Sequence, residues 1–117
     1  MKNYTGGCHC GKVKYEVSVD LEKPVMACNC SICSKKAGLL TFVKADSFKL
    51  LAGNDALTDY QFNKHIIHHL FCSTCGVQSF ARGKGPDGAE MVAINARCLE
   101  GIEPDALKIN NFDGKHM

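Results

Sequence analysis

The chain has 117 residues, a length that one domain fills, and its net charge of +2 comes from basic residues scattered among acidic ones. That balance argues against a nucleic-acid surface, and no apolar run approaches the length of a membrane span. Hydrophobic residues make up 45% of the chain, yet Trp is absent and aromatics reach only 8%, so something besides apolar burial is expected to help hold the fold.

The first residues, Met1 to Gly7, lack the apolar stretch of a secretion signal, which places the expected compartment in the cytoplasm. Lys12 to Val19 alternates with period two: Val13, Tyr15, Val17 and Val19 share one face, as in a half-buried strand. A short helical turn is expected from Ser31 through Lys36, with Ser31 as its cap. Further strands are expected over 39–44, 47–51, 58–62, 66–71, 78–82 and 90–96. Breaks fall at Ala52-Gly53-Asn54-Asp55 and across Gly83 to Gly88. A second helical turn is expected after Pro104, through Leu107. The polar tail from Asn110 to Met117 reads as loose. Many short strands with glycine turns give an all-β, mainly antiparallel fold with little helix. No linker or repeat divides it, so one domain is expected over 1–117, with its core at about 6–110.

Eight cysteines dominate the composition. Cytosolic thiols stay reduced, so metal ligands are favoured over a disulfide framework. Seven of them form three groups: Gly7-Cys8-His9-Cys10-Gly11, Cys28-Asn29-Cys30-Ser31-Ile32-Cys33 and Cys72-Ser73-Thr74-Cys75-Gly76. A C-x-C pair on extended chain puts both sulfurs on one face. A C-x-x-C turn converges its two, with Gly76 in the left-handed conformation that closes it. Cys8, Cys10, Cys72 and Cys75 together would complete a closed, structural zinc site. Cys28, Cys30 and Cys33 offer three thiolates and no evident fourth, the pattern of a zinc site with an open position. The short helical turn would aim N–H groups at Cys33 and favour its anion. The trio is also compatible with a redox centre or a second structural site.

The sequence G-G-C-H-C-G, C-N-C-S-I-C, F-C-S-T-C-G and N-A-R-C-L-E-G, in that order from Gly6 to about Gly101, resembles the glutathione-dependent formaldehyde-activating enzyme family. The resemblance implies a zinc-pinned β-tent fold. It implies structural zinc on Cys8, Cys10, Cys72 and Cys75, and a second, open zinc site on Cys28, Cys30 and Cys33, two ions per chain. It also implies a carbon–sulfur lyase that handles a small thiol–aldehyde adduct such as S-hydroxymethylglutathione, with glutathione as the thiol.

The competing class is a non-catalytic zinc module for a protein or nucleic-acid partner, with a thiol redox or metal-handling protein beside it. Cys98 reads as a small buried apolar residue. His68 and His69 are adjacent in a strand and face opposite sides, so only one can line a pocket. Lys35 and Lys36 are a solvated face or, beside the open site, a seat for a carboxylate-bearing thiol. Phe42, Phe48, Phe62 and Phe80 read as core.

Overall fold

The computed structural model describes residues 2–62, 65–85 and 87–116, with His116 given by its backbone alone. The strands are β1 (Lys2–Gly7), β2 (Lys14–Val19), β3 (Val25–Cys28), β4 (Leu40–Lys44), β5 (Phe48–Ala52), β6 (Leu57–Tyr60), β7 (His68–Cys72), β8 (Phe80–Lys84), β9 (Glu90–Asn95) and β10 (Ile109–Phe112). One four-residue helix, α1 (Cys33–Lys36), follows β3. A small sheet runs β1-β2-β5, and a larger one runs β10-β3-β4-β9-β8-β7-β6. The pairs are antiparallel except β10 with β3, which run parallel from Ile109 opposite Val25 to Phe112 opposite Cys28. The fold is thus all-β, as the period-two segments require.

The core lies where the two sheets face each other. Val13, Tyr15, Val17 and Val19 are all buried, so the alternation of β2 sets its inward face. Tyr15 and Phe48 of the small sheet meet Phe80 of the large one, with ring centroids 4.7 to 5.9 Å apart. Val92 and Ile94 of β9 close the same layer. The Arg82 guanidinium lies over the Phe48 and Phe80 rings at 5.1 and 5.5 Å, a cation–π placement.

Several expectations change. Ser31 does not cap α1: Ile32 is the N-cap residue and no side chain caps the turn, while Ser31 only accepts a bond from Ser34 Oγ through its carbonyl. The turn after Pro104 is a single 3-10 turn ending at Ala106. Gly83 and Lys84 belong to β8 rather than to the break, which turns over Gly85 to Ala89; Pro86 lies outside the described residues. Phe42 is not core: it is 50% exposed on β4, because the inward positions there go to Val43 and its alternate neighbours. The tail is not loose. Residues 109–112 form β10, and Gly114–His116 make a 3-10 turn beyond it. Parallel pairing with a distant strand leaves no local signature, which is why alternation did not reveal β3 or β10.

Candidate metal centres

The first centre joins the chain start to a hairpin far along it. Gly7 ends β1, so Cys8 and Cys10 leave the sheet edge in a turn; Cys8 N–H donates to the Val13 carbonyl. Cys72 ends β7, and Gly76, at φ 79°, donates to the Cys72 carbonyl and closes the second turn as its spacing requires. The sulfurs of Cys8 and Cys10, and of Cys10 and Cys72, are each 3.6 Å apart. A disulfide needs about 2.05 Å. Four sulfurs around a zinc ion, each at about 2.3 Å, stand about 3.8 Å from one another by tetrahedral geometry. All four sulfurs lie within 4.8 Å of one another and can hold a metal ion.

Backbone donors prepare the sulfurs. Val13 N–H donates to Cys8 Sγ at 3.3 Å and Thr74 N–H to Cys72 Sγ at 3.4 Å. Backbone N–H groups of Cys10 and Val77 pull Cys75 down to about 6. The Lys12 N–H pulls on Cys10 too, but burial and the sulfurs of Cys72, Cys8 and Cys75 overcome it and push Cys10 up to about 11. Four thiols held this close cannot all ionise without a cation between them. The donor set therefore fits a soft or borderline divalent ion.

The second centre is local. Cys28 ends β3, Cys33 opens α1, and Cys30 lies between them. Their three sulfurs also lie within 4.8 Å, with no fourth His, Cys, Asp or Glu joining them among the described residues. The Cys30 N–H donates to Cys28 Sγ at 3.4 Å, and the Cys30 carbonyl accepts from Ser34 N–H. Burial raises Cys30, but N–H groups of Cys33 and Ile32 and the neighbouring sulfurs outweigh it and hold it below the usual thiol value. Cys33 behaves in the opposite way: burial and the charges on Cys30 and Cys28 push it up to about 12. The turn's N–H groups therefore favour the anion of Cys30, not of Cys33. The three converging sulfurs again fit a divalent cation.

Beside this trio a hollow of about 340 Å³ is lined by Ser31, Ile32, Lys35, Lys36, Tyr60 and Phe62. Lys36 bonds Gln78 Oε1 and sits 5.9 Å from the Phe71 ring; burial lowers its pKa, and Cys33 opposes that. His69 is the inward member of the His68–His69 pair. It stacks under Phe62 at 5.3 Å, and burial, then the charge of Lys36, hold its pKa down. His68 turns outward to Asp59 at 2.7 Å. Phe62 is thus part of the wall rather than the core, and Tyr60 joins it, a role no spacing signalled. Cys98 belongs to neither centre. It is half-buried, donates weakly to the Gln78 carbonyl at 3.9 Å, and lines a separate hollow with Cys8, His9 and Arg97.

Fold and centres define a small all-β protein organised around two cysteine clusters of metal-ligating geometry, one closed by four sulfurs and one left with three. The chain belongs to the glutathione-dependent formaldehyde-activating enzyme family, whose sequence pattern matches residues 3–111. It is 38% identical over 82 residues to a Talaromyces marneffei protein provisionally named a glutathione-dependent formaldehyde-activating enzyme; the match covers 64% of this chain and 42% of that protein. The chain thus spans less than half the length of this curated relative. A crystal structure of a Rhodobacter sphaeroides protein superposes with a TM-score of 0.79 at 27% identity, covering 91% of this chain and 99% of that one.

Proposed function

We propose that the chain is a zinc-dependent carbon–sulfur lyase that handles a small thiol–aldehyde adduct such as S-hydroxymethylglutathione. In this reading Cys8, Cys10, Cys72 and Cys75 hold a structural zinc ion. Cys28, Cys30 and Cys33 hold a second one with a free position, and the residues act as one domain in the cytoplasm. The observation that carries it is the trio itself: three converging sulfurs with no fourth side-chain ligand among the described residues, beside a hollow with two lysines. Family membership supports the choice of thiol. Free cysteines suit a reducing compartment, and no helix is long and apolar enough to cross a membrane.

The reaction breaks the C–S bond of the adduct. The bonding pair stays with sulfur, the hydroxyl oxygen gives up its proton as C=O forms, and sulfur gains a proton, so atoms and charge balance. A zinc ion on the trio supplies Lewis acidity toward sulfur or oxygen when bound. The chain's own residues do the rest. The N–H groups of Cys33 and Ile32 keep Cys30 ready as a thiolate ligand. Lys35 and Lys36 offer positive charge to the carboxylates of the thiol, and Tyr60 and Phe62 supply the apolar wall of the hollow.

The test is adduct formation from glutathione and formaldehyde, followed in the intact protein and in Cys30→Ser, with metal content measured alongside. Two zinc ions and a rate above the uncatalysed one, lost in Cys30→Ser, is the expected result. A wild-type rate equal to the uncatalysed rate for this and other thiol–aldehyde pairs ends the lyase reading.

A further inference from the structure

The tail that follows β10 ends against the cysteine trio, and the family match stops at residue 111, just before it. Asn29, the residue between Cys28 and Cys30, makes three hydrogen bonds to this segment and the end of β10. The Asn29 backbone N–H donates to the Phe112 carbonyl at 3.2 Å. Its side-chain Nδ2 donates to Asp113 Oδ1 at 2.9 Å, and its Oδ1 accepts from the Lys115 N–H at 2.9 Å. An amide side chain with donor and acceptor both spent on one segment fixes that segment's orientation as well as its place.

Gly114 is carried by these bonds onto the sulfur. A Cβ at this position would stand 2.6 Å from Cys28 Sγ and 3.2 Å from Cys30 Cβ. Its backbone is not in the left-handed region, so the demand for glycine here is one of space. The main chain of residue 114 therefore lies against the sulfur of a candidate metal ligand. The hollow next to the trio is lined instead by Ser31 and Ile32, between Cys30 and Cys33, with Lys35 and Lys36, and by no residue of the tail.

We propose that Asp113 to Lys115 form a strap that seals the Cys28 side of the trio, with Asn29 as the positioning residue that latches it. Reagents and substrates then reach the trio from the lysine-lined side, and the strap limits what else approaches Cys28. The inference deepens the lyase reading by assigning the direction of approach, and it rests on that reading for the identity of the substrate alone.

The experiment reads cysteine access rather than turnover. The full-length protein is treated with iodoacetamide in the presence of a weak chelator that empties the trio and leaves the four-sulfur site loaded, as zinc content and circular dichroism verify, and alkylation of each cysteine is followed by peptide mass spectrometry. The variants are Asp113→Ala, Asp113→Asn and Gly114→Val. In the wild type Cys28 is expected to react several-fold more slowly than in Asp113→Ala and Gly114→Val. Asp113→Asn, which keeps an acceptor for the Asn29 amide, is expected to retain the wild-type rate. Rates at Cys8, Cys10, Cys72 and Cys75 are expected to stay unchanged in all three. Unchanged Cys28 labelling in both Asp113→Ala and Gly114→Val overturns the strap. Equal acceleration at both clusters overturns it too, because the tail would then be general support for the fold. The readout needs no catalysis, so loss of the lyase reading in the adduct assay leaves it standing, and its own failure leaves the lyase reading intact.

Discussion

The closed cluster draws its four sulfurs from two segments, with Cys10 and Cys72 separated by 62 positions, whereas the open trio comes from a single stretch, Cys28 to Cys33. An ion shared by distant segments closes a long loop and removes much of the entropy of the unfolded chain. An ion held by neighbours in sequence closes almost nothing, so its binding energy is free for chemistry. The hollows near the two clusters also differ: the one next to the trio is lined by Lys35, Lys36, Tyr60 and Phe62, whereas the one that Cys8 lines carries His9, Arg97 and Glu100. A small core with few large rings is the setting in which a cross-link of this kind would contribute most.

The sharpest way to break this contrast is to remove one sulfur from each cluster. Cys72→Ser is expected to abolish the folded state, since metal binding in small zinc domains contributes on the order of 10 kcal/mol. Circular dichroism and zinc content would show it. Cys30→Ser is expected to keep a melting curve within about 1 kcal/mol of wild type while the second zinc ion and activity are lost. Equal destabilisation by the two changes would erase the distinction. The apolar side of the ledger is tested by Phe80→Ala, whose fully buried ring meets Tyr15 and Phe48. It is expected to cost about 3–5 kcal/mol in denaturant unfolding, by the cavity it leaves.

A milder change sharpens the hollow. Lys36→Ala is expected to raise KM for a carboxylate-bearing thiol by a few-fold, an effect that fades with salt, with kcat nearly unchanged. A thiol without carboxylates should show no such rise. The smallest effect concerns His69. Its folded pKa is depressed, so the folded protein binds fewer protons at this site than the unfolded chain once pH falls below about 6.5, the ordinary value. Stability from the neutral stack under Phe62 is therefore complete above that pH and lost as pH drops through the folded value. His69→Phe is expected to flatten this acid limb in melting curves recorded from neutral to mildly acidic pH.

The latch shows where sequence reasoning stops. Asn29 stood in plain view between two cysteines, but its partners Phe112, Asp113 and Lys115 lie 83 or more positions away, and a polar tail carries no period that announces docking. The same limit hid β3 and β10, whose pairing is parallel and non-local. It also misassigned Phe42, because a phenylalanine in a strand says nothing about which face the sheet will cover. Which sulfur of the trio the N–H groups favour was equally unreadable: the N–H groups of Cys33 and Ile32 lower Cys30, while burial raises Cys33.

What the sequence determined by itself was the strand chemistry of β2 and the grouping of the cysteines. Alternation with period two has one physical meaning on a pleated strand, and C-x-C and C-x-x-C are distances along a chain short enough to fix geometry locally. Spacing and family resemblance together also anticipated that Cys8 and Cys10 meet Cys72 and Cys75, but only the tertiary structure decided that Phe62 and Tyr60 wall a hollow and that Gly114 rests on Cys28. Those are contacts between remote segments, selected by the packing of two sheets as a whole, and no window of sequence contains both partners.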